Sequence, residues 1–361
     1  MARFRKLLFR EELDAYLVAV PENRYYLSGY EAEDLALVES SGFLLITENR
    51  RYLLTDFRYQ EEAKQEAPGF ELIIYSDGPA QVLPDLFSSH QINRLGFEKD
   101  YLTFKRYQDV EKALISARPS ATMAPSEDLV QELRIIKDDH EIELIRKSLG
   151  LTESVLKSVW DELEVGMRER DVAWAIERRI REGGAGSVSF PPIVASGPNA
   201  ALPHAVPTDR IIRTGDPVIL DLGSRLGQYC SDMTRTWIAG KPDDRLAEIY
   251  RIVREAQREA QAAIRAGLDS VDVDGVARGI IDRAGYGELF GHGLGHGVGL
   301  AVHEKPGLRK RQPTMLEAGM VVTVEPGIYI SGYGGVRLEN MVAITSEGCE
   351  VLNKLDLLYE F

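Results

Sequence analysis

Four carboxylates and a group of histidines in the second half of the chain have the spacing of a metal site. Asp221 interrupts the apolar run Val218-Ile219-Leu220-Asp221-Leu222, and Asp232 follows a turn-like stretch rich in glycine and polar residues. A hairpin centred between Arg225 and Leu226 sets Asp221 opposite Cys230. Asp232 then falls two positions along on the same face, ~7–8 Å away, a separation at which two carboxylates can hold a pair of cations. A second reversal, centred at Gly332, brings Glu325 directly opposite Glu339. Like charges facing each other across strands repel, so this pair calls for a counter-ion. Between the two hairpins lies Phe290-Gly291-His292-Gly293-Leu294-Gly295-His296-Gly297-Val298-Gly299-Leu300-Ala301-Val302-His303-Glu304, which holds three of the six histidines. Its glycines allow the backbone close to a site.

Each signal has a plainer reading when taken alone. One acid in an apolar strand is commonly an edge position or half of a buried ion pair, and a glycine–histidine run is as often a loop. It is their coincidence between 221 and 339, at hairpin-compatible spacings, that argues for a metal. His90 and His140 lack such surroundings and read as surface residues; Glu304 reads as a support for His303 or for the fold. Four carboxylates balance the charge of two divalent cations. A site so rich in oxygen suits Mn2+, with Co2+, Zn2+ or Fe2+ as alternatives.

The elements that must position these residues divide into two domains, as expected for 361 residues. Residues 1–123 alternate short β-rich runs (Ala15 to Val20, Phe43 to Thr47, Phe70 to Tyr75) with helical stretches such as Phe57 to Ala67, so an α/β domain is expected. The proline-bearing segment from Ala117 to Pro125 reads as a linker. Residues 124–361 carry helical periodicity (Ile142, Ile145, Leu149, Leu156), further helices over Glu169 to Arg181 and over Arg245 to Ala266, the last ended by Gly267, and then β-runs among glycine-rich loops.

A net charge of −14 argues against nucleic-acid or anionic-membrane partners, which require a basic surface. Two cysteines, Cys230 and Cys349, without a CxxC pair, leave neither a disulfide framework nor a thiolate zinc site. After the basic start only Leu7-Leu8-Phe9 precedes Arg10, too short for a signal-peptide core, and no apolar run approaches a membrane span. A cytoplasmic protein is the expectation.

Taken together, these motifs resemble the pita-bread-fold metallopeptidases: methionine aminopeptidase, aminopeptidase P and prolidase. The resemblance implies an α+β pita-bread catalytic domain with Asp221, Asp232, His296, Glu325 and Glu339 as metal ligands. It places the substrate-handling histidines on His204, in Leu202-Pro203-His204-Ala205, and on His303, with His292 near the site. The extra α/β domain and Gly335-Val336-Arg337-Leu338-Glu339 are similar to the proline-specific branch, and Arg337 there implies an orienter of carboxylates. Creatinase shares both domains but lacks the ligands. The implied activity is hydrolysis of an N-terminal Xaa-Pro bond in peptides with proline second. A water shared by two divalent ions and deprotonated near neutral pH attacks, Glu325 relays the proton, and His204 and His303 bind the carbonyl. Homodimers are common among such proteins. Dipeptide-cleaving members have an arginine four residues after the histidine that falls on His303; Gly307 stands there in this chain. The expectation is therefore an Xaa-Pro aminopeptidase, with an Xaa-Pro dipeptidase as the alternative and a non-catalytic peptide-binding member as a more distant one.

Overall fold

Period-two alternation in the first strands sorts their side chains onto two faces, and each face is covered by helices. Ala15 and Leu17 enter one apolar core and Tyr16 and Val18 the other. A computed structural model describes residues 1–34, 36–127 and 129–361. The chain divides into two units, Met1–Arg134 and Ile135–Phe361.

The first unit is a six-stranded mixed sheet of β1 (Ala15–Val18), β2 (Phe43–Thr47), β3 (Arg51–Asp56), β4 (Glu71–Tyr75), β5 (Arg94–Glu98) and β6 (Thr122–Ser126), in the order β4-β3-β2-β1-β5-β6. Helices α1 (Ala2–Arg10), α3 (Gln60–Glu66) and α6 (Gln131–Arg134) contribute to one core. Helices α4 (Leu83–Ser89) and α5 (Phe104–Ala117) contribute to the other, while α2 (Pro21–Ser28) follows β1. The expected linker is corrected here. Residues 122–126 form the parallel edge strand beside β5, and the division of the chain falls later, after Arg134. An edge strand tolerates Pro125, whose missing N–H would break a central ladder.

The second unit begins with α7 (Asp139–Glu162). A capping box fixes its start: Asp138 accepts from the Glu141 N–H, and the Glu141 carboxylate accepts from the Asp138 N–H. Helix α8 (Glu169–Glu182) follows. Strands β7 (Ser187–Val188), β8 (Ile193–Ser196), β9 (Pro217–Leu222), β10 (Ser224–Leu226), β11 (Tyr229–Cys230) and β12 (Met233–Ile238) build two three-stranded sheets, β11-β10-β7 and β12-β9-β8. Helix α9 (Asp244–Ala263) stops three residues short of the expected Ala266, because Ile264 is already extended. Helix α10 (Ser270–Arg283) was not legible in the sequence. Gly275 and Gly279 weaken its propensity, but Val273, Ala277 and Ile281, four residues apart, bury one face.

Strands β13 (Gly295–Gly297), β14 (Glu304–Leu308), β15 (Val321–Val324), β18 (Asn340–Ile344) and β19 (Cys349–Val351) form a five-stranded sheet. Between them, β16 (Gly327–Ile330) and β17 (Gly334–Arg337) form a separate hairpin. Among the described residues no helix is long and apolar enough to cross a membrane.

Candidate metal centre

Asp221 sits near the end of β9, a strand buried along its whole length. The hairpin that follows differs from the expected one. Arg225 pairs with Cys230 and Leu226 with Tyr229, so the turn is centred between Gly227 and Gln228 and Asp221 faces Thr234, not Cys230. Both turn residues have positive φ, 56° and 68°, as a type I′ turn requires. Asp232 still lies two positions from the residue opposite Asp221, now on the other side of it, and so keeps the same face.

The second reversal has the expected centre. Gly327 pairs with Arg337 and Val324 with Asn340, on one continuous register about Gly332. Glu325 and Glu339 occupy the gap between those two ladders. There each strand turns to another neighbour: Glu325 N–H donates to Leu294 O (2.8 Å) and Glu339 N–H to Thr234 O (3.1 Å). The second of these ties the two hairpins together at the acidic residues.

His296 enters on β13, between two glycines for which nothing larger has room. A Cβ on Gly295 would lie 2.0 Å from Thr323 O, and one on Gly297 2.3 Å from Lys305 O. The ring is oriented by Nδ1, 3.2 Å from Gly297 O, which leaves Nε2 facing the acids, 3.3 Å from Glu325 Oε1 and 3.6 Å from Asp232 Oδ2. Ligand atoms of Asp232, His296 and Glu339 lie within 4.8 Å of one another.

Hydrogen bonding inside the protein satisfies only part of this cluster. Arg337 Nη2 donates to Asp221 Oδ2 (2.6 Å), and Thr234 Oγ1 donates to Glu339 Oε2 (2.7 Å). Asp221 Oδ1, Asp232 Oδ1 and Glu339 Oε1 are buried with no partner among the described residues. Burial without a partner costs an ionised carboxylate several kcal/mol, and protonation is the way out. Burial, reinforced by the neighbouring carboxylates, accordingly pushes Asp232 and Glu339 far above the usual carboxylate range. Asp221 also rises through burial, although Arg337 opposes it. Glu325 goes the other way. Burial would raise it, but the hydrogen bond and charge of His296 prevail and hold it at about 2. The same contact lifts His296 to about 9 against the opposing effect of burial. Three unpartnered oxygens, four acids and one imidazole nitrogen fit divalent cations as the missing counter-charge.

Around the acids runs a chain of oriented polar groups. Arg337 also reaches the Tyr329 hydroxyl (2.9 Å) and Pro203 O (3.1 Å) through Nη1, and Tyr329 OH lies 2.8 Å from His292 Nε2. Both His292 nitrogens are engaged, the other with Gly293 O, so this ring is a neighbour of the site and not a ligand. Burial lowers its pKa. His303 stands with its ring centroid 4.3 Å from that of His296. Partial burial and the positive charges of His296 and His204 push it down. His204, exposed, is thus within electrostatic reach of His303. Glu304, next to His303, forms a fully buried ion pair with Lys137 (2.6 Å), consistent with a supporting role. His90 is half-buried and not a surface residue as expected, with Nε2 2.6 Å from the Tyr52 hydroxyl.

Sequence reasoning missed Thr234 and Tyr329. Thr234 carried a usable signal, its same-face spacing from Asp232. Tyr329 carried none, since an aromatic in an apolar run reads simply as strand.

Residues 143–346 match metallopeptidase family M24, and residues 1–136 match the creatinase/prolidase N-terminal domain. The peptidase YqhT of Bacillus subtilis (strain 168) is 39% identical over 348 residues, 96% of each chain. The solved structure of an Xaa-Pro dipeptidase from Bacillus anthracis aligns with a TM-score of 0.92 at 39% identity, over 98% of this chain and 97% of that one. The X-Pro aminopeptidase from Thermotoga maritima MSB8 aligns at 0.87 and 34% identity, over 98% of each chain.

Proposed function

The chain belongs to metallopeptidase family M24, and from that premise we propose that it hydrolyses the bond between an N-terminal residue and a proline in second position. The observation that carries the reading is a cluster of four acids beside His296: Asp221, Asp232 and Glu339 are buried with one unpartnered oxygen each, and Asp232 and the partly buried Glu325 face His296 Nε2 at 3.6 and 3.3 Å. The proline preference is supported by what the two solved relatives are named for.

Asp221, Asp232, His296, Glu325 and Glu339 would hold two divalent cations, Mn2+ first among the candidates. Bound there, such ions lower the pKa of a water and polarise the scissile carbonyl. The chain's own groups do the rest. Glu325, deprotonated as a metal ligand must be, would accept the proton of the attacking water and pass it to the proline nitrogen. That nitrogen belongs to a tertiary amide without an N–H and leaves only when protonated. His303, kept neutral by its lowered pKa, donates to the developing oxyanion together with His204. Arg337 and Thr234 fix one oxygen each of Asp221 and Glu339, which leaves the other oxygen of each for coordination.

Chain length is the finer question. Gly307 pairs with His296 in the β13–β14 ladder and offers no side chain to anchor a dipeptide's C-terminal carboxylate. This supports an aminopeptidase acting on X-Pro-Y and longer peptides. One observation favours the dipeptidase reading. Arg309 lies over Gly307, its Nε 3.0 Å from where a Cβ would stand, so a guanidinium occupies the place a side chain at 307 would fill. The test is kcat/KM on X-Pro and X-Pro-Y substrates for wild type and Arg309→Ala. Better turnover of X-Pro-Y with little change in the variant supports the aminopeptidase. Dipeptide preference that collapses in Arg309→Ala establishes the dipeptidase, and cleavage of neither sinks the proline reading.

A further inference from the structure

Glu169 is fully buried and belongs to neither the acid cluster nor the reaction drawn above. It opens α8, yet its carboxylate reaches across to two separate points of the segment that carries His204. Oε1 accepts from Ser196 N–H (2.7 Å), Ser196 Oγ (2.7 Å) and Asn199 Nδ2 (3.1 Å). Oε2 accepts from Asn199 Nδ2 (3.1 Å), Thr208 N–H (3.0 Å) and Thr208 Oγ1 (2.6 Å). One carboxylate thereby closes the loop from 196 to 208 at its base. The backbone alongside is pinned as well: Glu169 N–H donates to Arg210 O and Arg170 N–H to Thr208 O.

The tip of this loop is held differently. Arg337 takes Pro203 O, Ala205 N–H donates back to Leu202 O, and His204 and Val206 are exposed. A histidine on such a tip keeps its place only as well as the loop's base keeps its shape. Charge-assisted bonds from both ends to a single buried group are the strongest means on hand. A misplacement of about 1 Å at a reacting group can lower the rate by about a hundredfold. We infer that Glu169 is the positioning residue of His204: it sets where the imidazole meets the substrate carbonyl while leaving the metal ligands untouched. The inference rests on the reading of His204 as a carbonyl-binding histidine.

The two oxygens of Glu169 face donors only. In Glu169→Gln one of them becomes an amide nitrogen set against a backbone N–H that cannot turn away, whichever way the amide is placed. Thr208→Val is the milder variant: it removes one hydroxyl, which donates to Glu169 Oε2 and accepts from Arg210 N–H (3.1 Å) and Asn199 Nδ2 (3.3 Å), and leaves the carboxylate in place. The experiment measures kcat/KM on an X-Pro-Y peptide and the metal content of Mn2+-loaded enzyme, for wild type, Glu169→Gln, Thr208→Val, His204→Ala and each of the first two combined with His204→Ala. Glu169→Gln is expected to lower kcat/KM about tenfold and Thr208→Val by less, both with metal content unchanged. In the His204→Ala background either change should cost under about twofold, because the group it positions is gone. Should Glu169→Gln fail to fold, the Thr208→Val cycle decides. A loss that persists in full without His204, or one that tracks metal content, overturns the role of Glu169 alone. Wild-type kcat/KM in His204→Ala overturns the reading of His204 and this inference with it.

Discussion

Both units bury charge, and they settle it in opposite ways. In the first unit Arg24 and Asp34 form a buried pair at 2.8 Å. Ser40 Oγ, Ser41 Oγ, Ala19 O, Ala32 O and Gly42 O also accept from the guanidinium. Burial acts to raise Asp34, but Arg24 outweighs it and holds the acid below its ordinary value. In the second unit four acids share one arginine and one histidine, and burial drives Asp232 and Glu339 far upward. The first cluster balances its charge within the chain and serves the fold, even though Arg24 Nε has no partner among the described residues. The second is complete only with added positive charge, which is what a binding site looks like before its ion is counted.

The largest effects should separate the two clusters most sharply. Glu339→Ala is expected to lower kcat by ~10³-fold or more through lost metal. Glu339→Gln, equally inactive, should raise the thermal midpoint of the chelated protein near neutral pH by removing a buried repulsive acid. Asp34→Ala should do the reverse and destabilise by about 3–5 kcal/mol, because Arg24 is left buried and unpaired. A chelated Glu339→Gln protein that melts below wild type would erase the contrast.

Next in size come the histidines. His296→Ala should lose bound metal, measured by elemental analysis after dialysis. His303→Ala and His204→Ala should keep it and lose ~10²-fold in kcat/KM, the usual cost of one oxyanion donor. Metal loss in all three variants would show that the roles are wrongly divided.

The smallest effect is a slope. Acids whose folded pKa is raised bind protons more tightly in the native state, so their contribution to stability is full below about pH 4 and is lost as pH rises through the raised values. His296 acts in the same sense: its contribution is present below its unfolded pKa and lost as pH climbs through about 9. Glu325 contributes above its unfolded pKa and loses that only as pH falls through about 2. Between pH 5 and 8, then, the chelated protein should weaken as pH rises. The metal-loaded protein should gain, since coordination requires deprotonated ligands. Denaturant midpoints at several pH values, with chelator and with Mn2+, would expose parallel slopes if the account were wrong.

The residues of the site were more legible than the geometry that joins them. Glu325 and Glu339 could be paired from the sequence because Gly332 marks the centre of an even register that runs through both ladders. The first hairpin could not be centred, because its left-handed turn uses Gly227-Gln228 and glutamine gives no hint of positive φ. Parity rescued the outcome: the error moved the partner of Asp221 from Cys230 to Thr234, an even step, so Asp232 stayed on the working face. The edge strand β6 was hidden by Pro119 and Pro125, which read as linker. Helix α10 was hidden by Gly275 and Gly279. Long-range partners such as Arg337 with Pro203 O, or Glu169 with Thr208, leave no local periodicity to read.

The central claim is that the acid cluster of the second unit is incomplete without divalent cations. Its most direct test is to strip the protein with chelator, titrate Mn2+ back, and follow bound metal, thermal midpoint and X-Pro-Y hydrolysis on one sample. The account predicts that all three rise together and level off at about two ions per chain, with none of the rise in Glu339→Ala. Full hydrolysis by stripped protein, or a Mn2+ response that survives in Glu339→Ala, would contradict it.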